Sequence, residues 1–330
     1  MKYDFVSIGD VTNDTFITLK DAEVHCAIDN SNCILSMRFG DKIPYEEAEF
    51  VPGVGNAANA AISAKRLGLK TALATDIGTD RGGDECLAQW EKDELSAEYV
   101  RRHAEYPTHH HYVLRFGAER TILIKHSPWP YALPAFTESP SWIYFTSTGE
   151  HGEAYHHELA AYVKAHPETK LAFQPGTFQI NLSAEGKIPD VYAVSELFFC
   201  NKEEAQRILK NDSSDIKILL TGMRALGPKI VAITDGPNGA WVMNDEGAWM
   251  VPMYPDPAPP KNRTGAGDAF ASTVTAMLAL GMSLPDALMR GPINSALVVQ
   301  QVGAQKGLLS KDTLEEWLAK APPEYKITQL

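Results

Sequence analysis

The chain has 330 residues, with 30 Lys and Arg against 42 Asp and Glu, and a formal net charge of −12 at pH 7. That length suits one large α/β domain with an accessory piece, and the acidic balance argues against a general nucleic-acid partner. No apolar run approaches the roughly 18 residues that span a bilayer, so no membrane partner is expected.

In chain order, Phe5–Ile8 reads as the first buried strand. Met1 to Asp10 holds no basic segment followed by a long apolar run, so no signal peptide is expected. The next stretch, Thr15 to Phe50, carries β-like pieces at Phe16–Leu19 and Cys33–Met37 where a helix would be expected. Ala57–Leu67 is a helix rich in small residues with Gly68 as its C-cap. Thr71–Thr75 is a strand, and Gly83–Trp90 opens the next helix. His111–Leu114 and Thr121–Ile124 form a hairpin around Gly117. Trp142–Thr146, Leu171–Gln174, Leu197–Cys200 and Ile230–Thr234 read as strands buried on both faces. Helical patterns follow near His151–Ala165, Lys202–Leu209 and Leu219–Leu226. The expected fold is therefore α/β, a doubly wound and mostly parallel sheet with a small β-sheet lid. The core would comprise residues 1–13, 51–104 and 127–330, the lid residues 14–50 and 105–126.

Gly53-Val54-Gly55-Asn56-Ala57-Ala58 matches the dinucleotide turn Gly-x-Gly-x-x-Ala, with Asp76 about 20 residues on. Pro52 and the charged run Glu46–Val51 argue against it, because the strand before such a turn should be apolar. His109-His110-His111 lies in the hairpin, where alternate residues face opposite ways, so all three cannot hold one metal. His151, His156 and His157 read as a solvated helix face. Cys26, Cys33, Cys86 and Cys200 form no Cys-x-x-Cys pair and read as reduced thiols of a cytoplasmic protein.

The run Asn262-Arg263-Thr264-Gly265-Ala266-Gly267-Asp268-Ala269-Phe270 carries the most information. Gly265 and Gly267 allow a tight turn into a helix, Ala269 to Leu280, stopped by Gly281. Free N–H groups at a helix start, together with the helix dipole, favour a phosphate there. Asp268 is either a cap or the acceptor of a proton from a hydroxyl that attacks that phosphate.

This segment resembles the C-terminal signature of the ribokinase-like (PfkB-type) carbohydrate kinases, a family that includes adenosine kinases. Five more segments resemble family motifs in the family's order: Gly9–Asp14, Gly55–Asn59 with Leu67-Gly68, Gly78–Gly83, Asn201–Glu204 and Thr234–Gly239. The resemblance implies an ATP-dependent sugar kinase with Asp268 as general base. The N–H groups of Gly265, Ala266 and Gly267 would cradle the developing charge. It implies that Asp14 clamps two vicinal hydroxyls, assisted by Gly55, Asn56 and Asn59. Asn201, Thr234, Gly236, Gly239, Thr264 and Asn294 would contact ATP, with Gly303-Ala304 closing that end. Asn201 and Glu204 would hold Mg²⁺ through waters. The lid would cover the substrate and pair two copies into a homodimer. Three positions depart from the family: Asn262 replaces an Asp and puts K⁺ activation in question, Val54 replaces a Gly, and Gln174 replaces an Asp. Aromatic residues Phe16, Phe39, Tyr112 and Phe116 could stack on a nucleobase, and Arg38, Arg115 and Arg120 could bind a substrate phosphate. A nucleoside kinase is therefore the alternative, and a non-catalytic nucleotide- or sugar-binding regulator the second.

Overall fold

Strands that are apolar on both faces need cover on both sides, and here they receive it. The computed structural model describes residues 2–26, 33–117, 119–261 and 263–330. Its strands are β1 (Phe5–Ile8), β2 (Thr12–Leu19), β3 (Glu23–His25), β4 (Ile34–Ser36), β5 (Tyr45–Val54), β6 (Thr71–Gly78), β7 (Ser96–His103), β8 (His110–Phe116), β9 (Glu119–Leu123), β10 (Trp142–Phe145), β11 (Lys170–Phe173), β12 (Ser195–Asn201), β13 (Ile230–Thr234), β14 (Ala240–Asn244), β15 (Gly247–Val251) and β16 (Thr328–Gln329). Its helices are α1 (Asn56–Arg66), α2 (Arg81–Lys92), α3 (Glu153–Ala165), α4 (Thr177–Ala184), α5 (Pro189–Val194), α6 (Lys202–Leu209), α7 (Ile216–Ala225), α8 (Ala266–Ala279), α9 (Leu284–Val298) and α10 (Lys311–Ala319).

Ten strands make the central sheet, in the order β16-β15-β14-β13-β12-β11-β10-β1-β6-β7. All contacts from β7 across to β13 are parallel; β14 to β16 add an antiparallel edge. Val6 and Ile8 of β1 pack with α3, α5, α6 and α7 on one face. Phe5, one residue away and pointing oppositely, packs with α1, α8, α9 and α10 on the other. The fold is the expected doubly wound α/β sheet. The chain leaves β1 for β6 on one side and later fills β10 on the other. The crevice beyond the carboxyl ends of β1 and β10 is thus a topological switch point, where open α/β sheets bind ligands.

A separate four-stranded sheet, β5-β2-β8-β9, branches off there, β2 following β1 and β5 leading into α1. Cross-strand register sets its two faces. Val51, Asp14 and His111 share one row; Phe50, Thr15, Tyr112 and Leu123 share the next and point the other way. Asn13 ties this sheet down: its amide oxygen accepts from Gly53 N at 2.9 Å and its amide nitrogen donates to Gly82 O at 3.0 Å. The charged run before Gly53 is strand β5 of this four-stranded sheet, mostly exposed and antiparallel to β2. The Gly-x-Gly turn therefore does not follow a buried parallel strand, and the dinucleotide reading falls.

Two expectations are corrected. Cys26 and Cys33 are joined by a disulfide, leaving Cys86 and Cys200 as the free, buried thiols. The antiparallel pair β3-β4, whose last rung is His25 with Ile34, brings the two cysteines together, and spacing in sequence gave no sign of it. His156 is fully buried, its Nδ1 2.6 Å from Gly152 O, whereas His151 and His157 are exposed, His157 lying 2.7 Å from Asp190. Among the described residues no helix is long and apolar enough to cross a membrane.

Candidate active site

Helix α8 begins at a turn that only glycine can make. Gly265 is its N-cap at φ 85°, and a Cβ there would lie 2.5 Å from the Ala304 Cβ. No side chain caps the helix, so its first N–H groups are available to an anion.

Asp268 sits in the first turn of α8 and is buried. Three side-chain amides hold its carboxylate. Asn56 Nδ2 donates to Oδ1 at 3.1 Å, Gln174 Nε2 to the same oxygen at 3.2 Å, and Asn59 Nδ2 to Oδ2 at 2.9 Å. Tyr144 OH donates to Gln174, and Gln305 Nε2 to the Asn59 oxygen at 3.0 Å. Burial raises the Asp268 pKa above the ordinary carboxylate range, opposed by the bonds from Asn59 and Gln174. Asn56 and Asn59, expected on the substrate, both hold this carboxylate. The reason is geometric: α1 packs against α8, and residues one turn apart on α1 face it together. Gln174, which sequence marked only as a departure, is one of the three holders. Gln305 and Tyr144 gave no sequence signal, because their link to Asp268 depends on folding.

Asp14 is buried in β2 with its Oδ1 lacking any hydrogen-bond partner. Burial pushes its pKa up to about 7. His111 Nδ1 lies 3.8 Å from that oxygen, and burial lowers the His111 pKa to about 4. Gly55, the N-cap of α1 at φ 103°, lets α1 start against Val11, where a Cβ would meet the backbone at 3.0 Å.

On the other side of α8 lies a cavity of about 600 Å³. Asn201, Thr234, Gly236 and Gly239 line it together with Ala266 and Gly267. Gly236 and Gly239 both have positive φ, and a Cβ at Gly239 would lie 2.4 Å from Val251 O. Phe270, Pro292 and Val299 give the cavity an apolar wall, and Arg120 and Arg263 add cations. Thr264 and Asn294, also expected on the nucleotide, do not line it. Asn294 is fully buried, donating to Thr273 and accepting from Leu309 N, whereas its neighbour Ser295 faces the cavity.

Asn201 and Glu204 cap α6 reciprocally: Glu204 N donates to Asn201 Oδ1 and Asn201 N to Glu204 Oε2, each at 2.8 Å. Glu204 is half-buried. Burial raises its pKa, and the Asp268 charge adds a small push in the same direction. Asn262, on which the question of K⁺ turns, lies outside the described residues.

The pfkB family carbohydrate kinase model matches residues 25–311. The ATP-dependent 6-phosphofructokinase of Thermoanaerobacterium thermosaccharolyticum is 24% identical over 341 residues, covering 95% of this chain and 93% of that protein. The ribokinase of Bacillus subtilis is 25% identical over 286 residues, covering 85% and 92%. Among solved structures, the Methanocaldococcus jannaschii nucleoside kinase superposes with a TM-score of 0.77 at 16% identity, over 96% of this chain and 98% of that one. The Arabidopsis thaliana ribokinase complexed with ribose and ATP gives 0.78 at 17% identity, over 96% and 99%.

Proposed function

Because the chain belongs to the pfkB family of carbohydrate kinases, we propose that it transfers the γ-phosphoryl group of ATP to a hydroxyl of a sugar or sugar-like substrate. Asp268 takes the hydroxyl proton as the oxygen attacks phosphorus, and ADP leaves. One observation carries the reading. A buried carboxylate with a raised pKa stands at an uncapped helix start, between a nucleotide-sized cavity and the lid. A base works best with a pKa near the operating pH, and such help is typically worth about 10²–10⁴-fold. The amides of Asn56, Asn59 and Gln174 fix its orientation, which supports the positioning such a transfer needs.

ATP would occupy the cavity against Thr234, Gly236 and Gly239, its phosphates toward the N–H groups of Ala266 and Gly267. The residues present suit Mg²⁺ bound through water: Glu204 is a half-buried carboxylate with one oxygen on Asn201 N, and a dication relieves its repulsion from Asp268. Bound there, Mg²⁺ would neutralise phosphate charge. On the substrate side, the unpartnered Asp14 oxygen is aimed for paired hydroxyl donors. Sugar is favoured over nucleoside by the aromatics. Phe16 is core, Tyr112 and, four residues on in β8, Phe116 are on the lid's outer face, and Phe39 is fully exposed, so none is arranged with Asp14 to stack a base. Arg38 pairs with Asp41, and Arg115 with Thr18 and Glu47, so they form no phosphate cluster. The outward row of Phe50, Tyr112 and Leu123, all more than 40% exposed, supports pairing of two lids into a dimer.

The test is ADP release with Mg-ATP against sugars, sugar acids, sugar phosphates and nucleosides, with and without K⁺. A response confined to nucleosides would overturn the sugar reading, and silence across the panel with ATP binding retained would favour a regulator.

A further inference from the structure

Asp10, His109 and His126 come from three separate segments and converge beside the carboxyl end of β1. Asp10 follows β1, His109 immediately precedes β8, and His126 lies in the loop after β9. One donor atom from each lies within 4.8 Å of the others. His126 Nδ1 is 3.4 Å from Asp10 Oδ2, and His109 Nδ1 is 3.9 Å from the same oxygen.

His109 is the informative member. It is 2% exposed, and neither ring nitrogen has a hydrogen-bond partner of normal geometry, although the Ser127 main chain lies close by. Leaving a buried polar group unsatisfied is costly, and buried polar groups are usually paired or coordinate a metal. The position is held, not accidental. Thr108, one residue before, is bonded through its N–H and its hydroxyl to Asp80, the cap of α2. Asp10 is held as well: Tyr131 OH lies 2.9 Å from each of its carboxylate oxygens, and that hydroxyl accepts from Gly149 N at 2.7 Å.

We propose that Asp10, His109 and His126 bind one divalent transition-metal ion, Zn²⁺ first, with Tyr131 orienting the carboxylate. Two imidazoles and one carboxylate select such ions over Mg²⁺, which prefers oxygen donors. Zinc bonds of about 2.0–2.2 Å set tetrahedral donors about 3.4 Å apart. The His126–Asp10 pair already has that spacing, His109 is about half an ångström farther from the same oxygen, and the two imidazoles, with donors within 4.8 Å, would close on each other around the ion. Three protein ligands leave a position open. His126 and Tyr131 also line a cleft of about 290 Å³ with Gly149 and Phe178, which admits the ion and leaves room for a water or an oxygen-bearing ligand. The proposal does not rest on the kinase reading.

The experiment uses full-length, untagged protein stripped with chelator and free of nucleotide. Co²⁺ is titrated and followed by its visible d–d absorption, with Zn²⁺ added in competition. Wild type should take up one ion per chain, with the intense band of a four- or five-coordinate site, and Zn²⁺ should displace it. His126→Ala, at a partly exposed loop position, should bind on the order of a hundredfold more weakly, and Tyr131→Phe about tenfold more weakly. His157→Ala, in the solvated pair with Asp190, should bind as wild type does. Wild-type affinity no tighter than that of His126→Ala would overturn the site, as would equal losses in His126→Ala and His157→Ala.

Discussion

Replacing Asp14 with Asn separates the buried carboxylate from everything around it. The unfolded-chain value is 3.8 and the folded value about 7, raised by burial. Between those values the native state keeps a proton that the unfolded chain has lost, so stability falls as pH rises. The contribution is fully present below about pH 4 and gone above about pH 7. A shift of about 3 units corresponds to about 4 kcal/mol. Asn titrates nowhere in this range, so Asp14→Asn should gain on wild type as pH rises. From about pH 5 to about pH 8 the difference in unfolding free energy should move by about 2–3 kcal/mol in favour of the variant. Urea denaturation of both proteins across that range reads it directly. A difference that stays constant within about 0.5 kcal/mol would refute the buried-carboxylate argument. The same titration has a functional side. Hydroxyl donors favour the ionised carboxylate, so KM for the best substrate should fall as pH rises through about 7 in wild type. In Asp14→Asn it should be higher and flat. A wild-type KM indifferent to pH would remove Asp14 from the substrate.

Asp268→Asn should fold and bind ATP while kcat drops on the order of 10²–10⁴-fold; turnover near wild type, measured by coupled ADP release, would sink the base assignment. Gly265→Ala forces a side chain onto Ala304 at a positive φ and should cost about 1–3 kcal/mol in denaturation midpoint analysis, with ATP affinity falling as the helix start shifts. Thiol titration of unfolded, unreduced protein should find two reactive groups, Cys86 and Cys200, rising to four after reduction; four without reductant would remove the lid disulfide. Tyr112→Asp on the outer lid face should shift sedimentation toward monomer if two lids pair, and an unchanged distribution would exclude that face.

What sequence could reveal here divides along physical lines. Strands buried on both faces, such as Phe5–Ile8 and Ile230–Thr234, announce themselves because every side chain must be apolar. Glycines at Gly265 and Gly239 announce a turn because a side chain there would strike Ala304 or the Val251 backbone, and Gly236 adds a positive φ. Local reach ends there. The amides on Asp268 come from positions 56, 59 and 174, and the contact with Gln305 from farther still. Asn is a common residue at a helix start for capping alone, so its real partner is invisible until α1 meets α8. Asn294 shows the converse case. A polar residue near a nucleotide motif invites a ligand role, yet its amide spans Thr273 and Leu309 inside the core. The same limit hid Asp10, His109 and His126, which are scattered along the chain and meet only because Asp80 holds Thr108, and with it His109, beside the end of β1. A site whose residues must first satisfy each other, as the Asp268 amides do, is a consequence of tertiary packing. A site left unsatisfied after packing, as at Asp14 and His109, is the better pointer to a ligand.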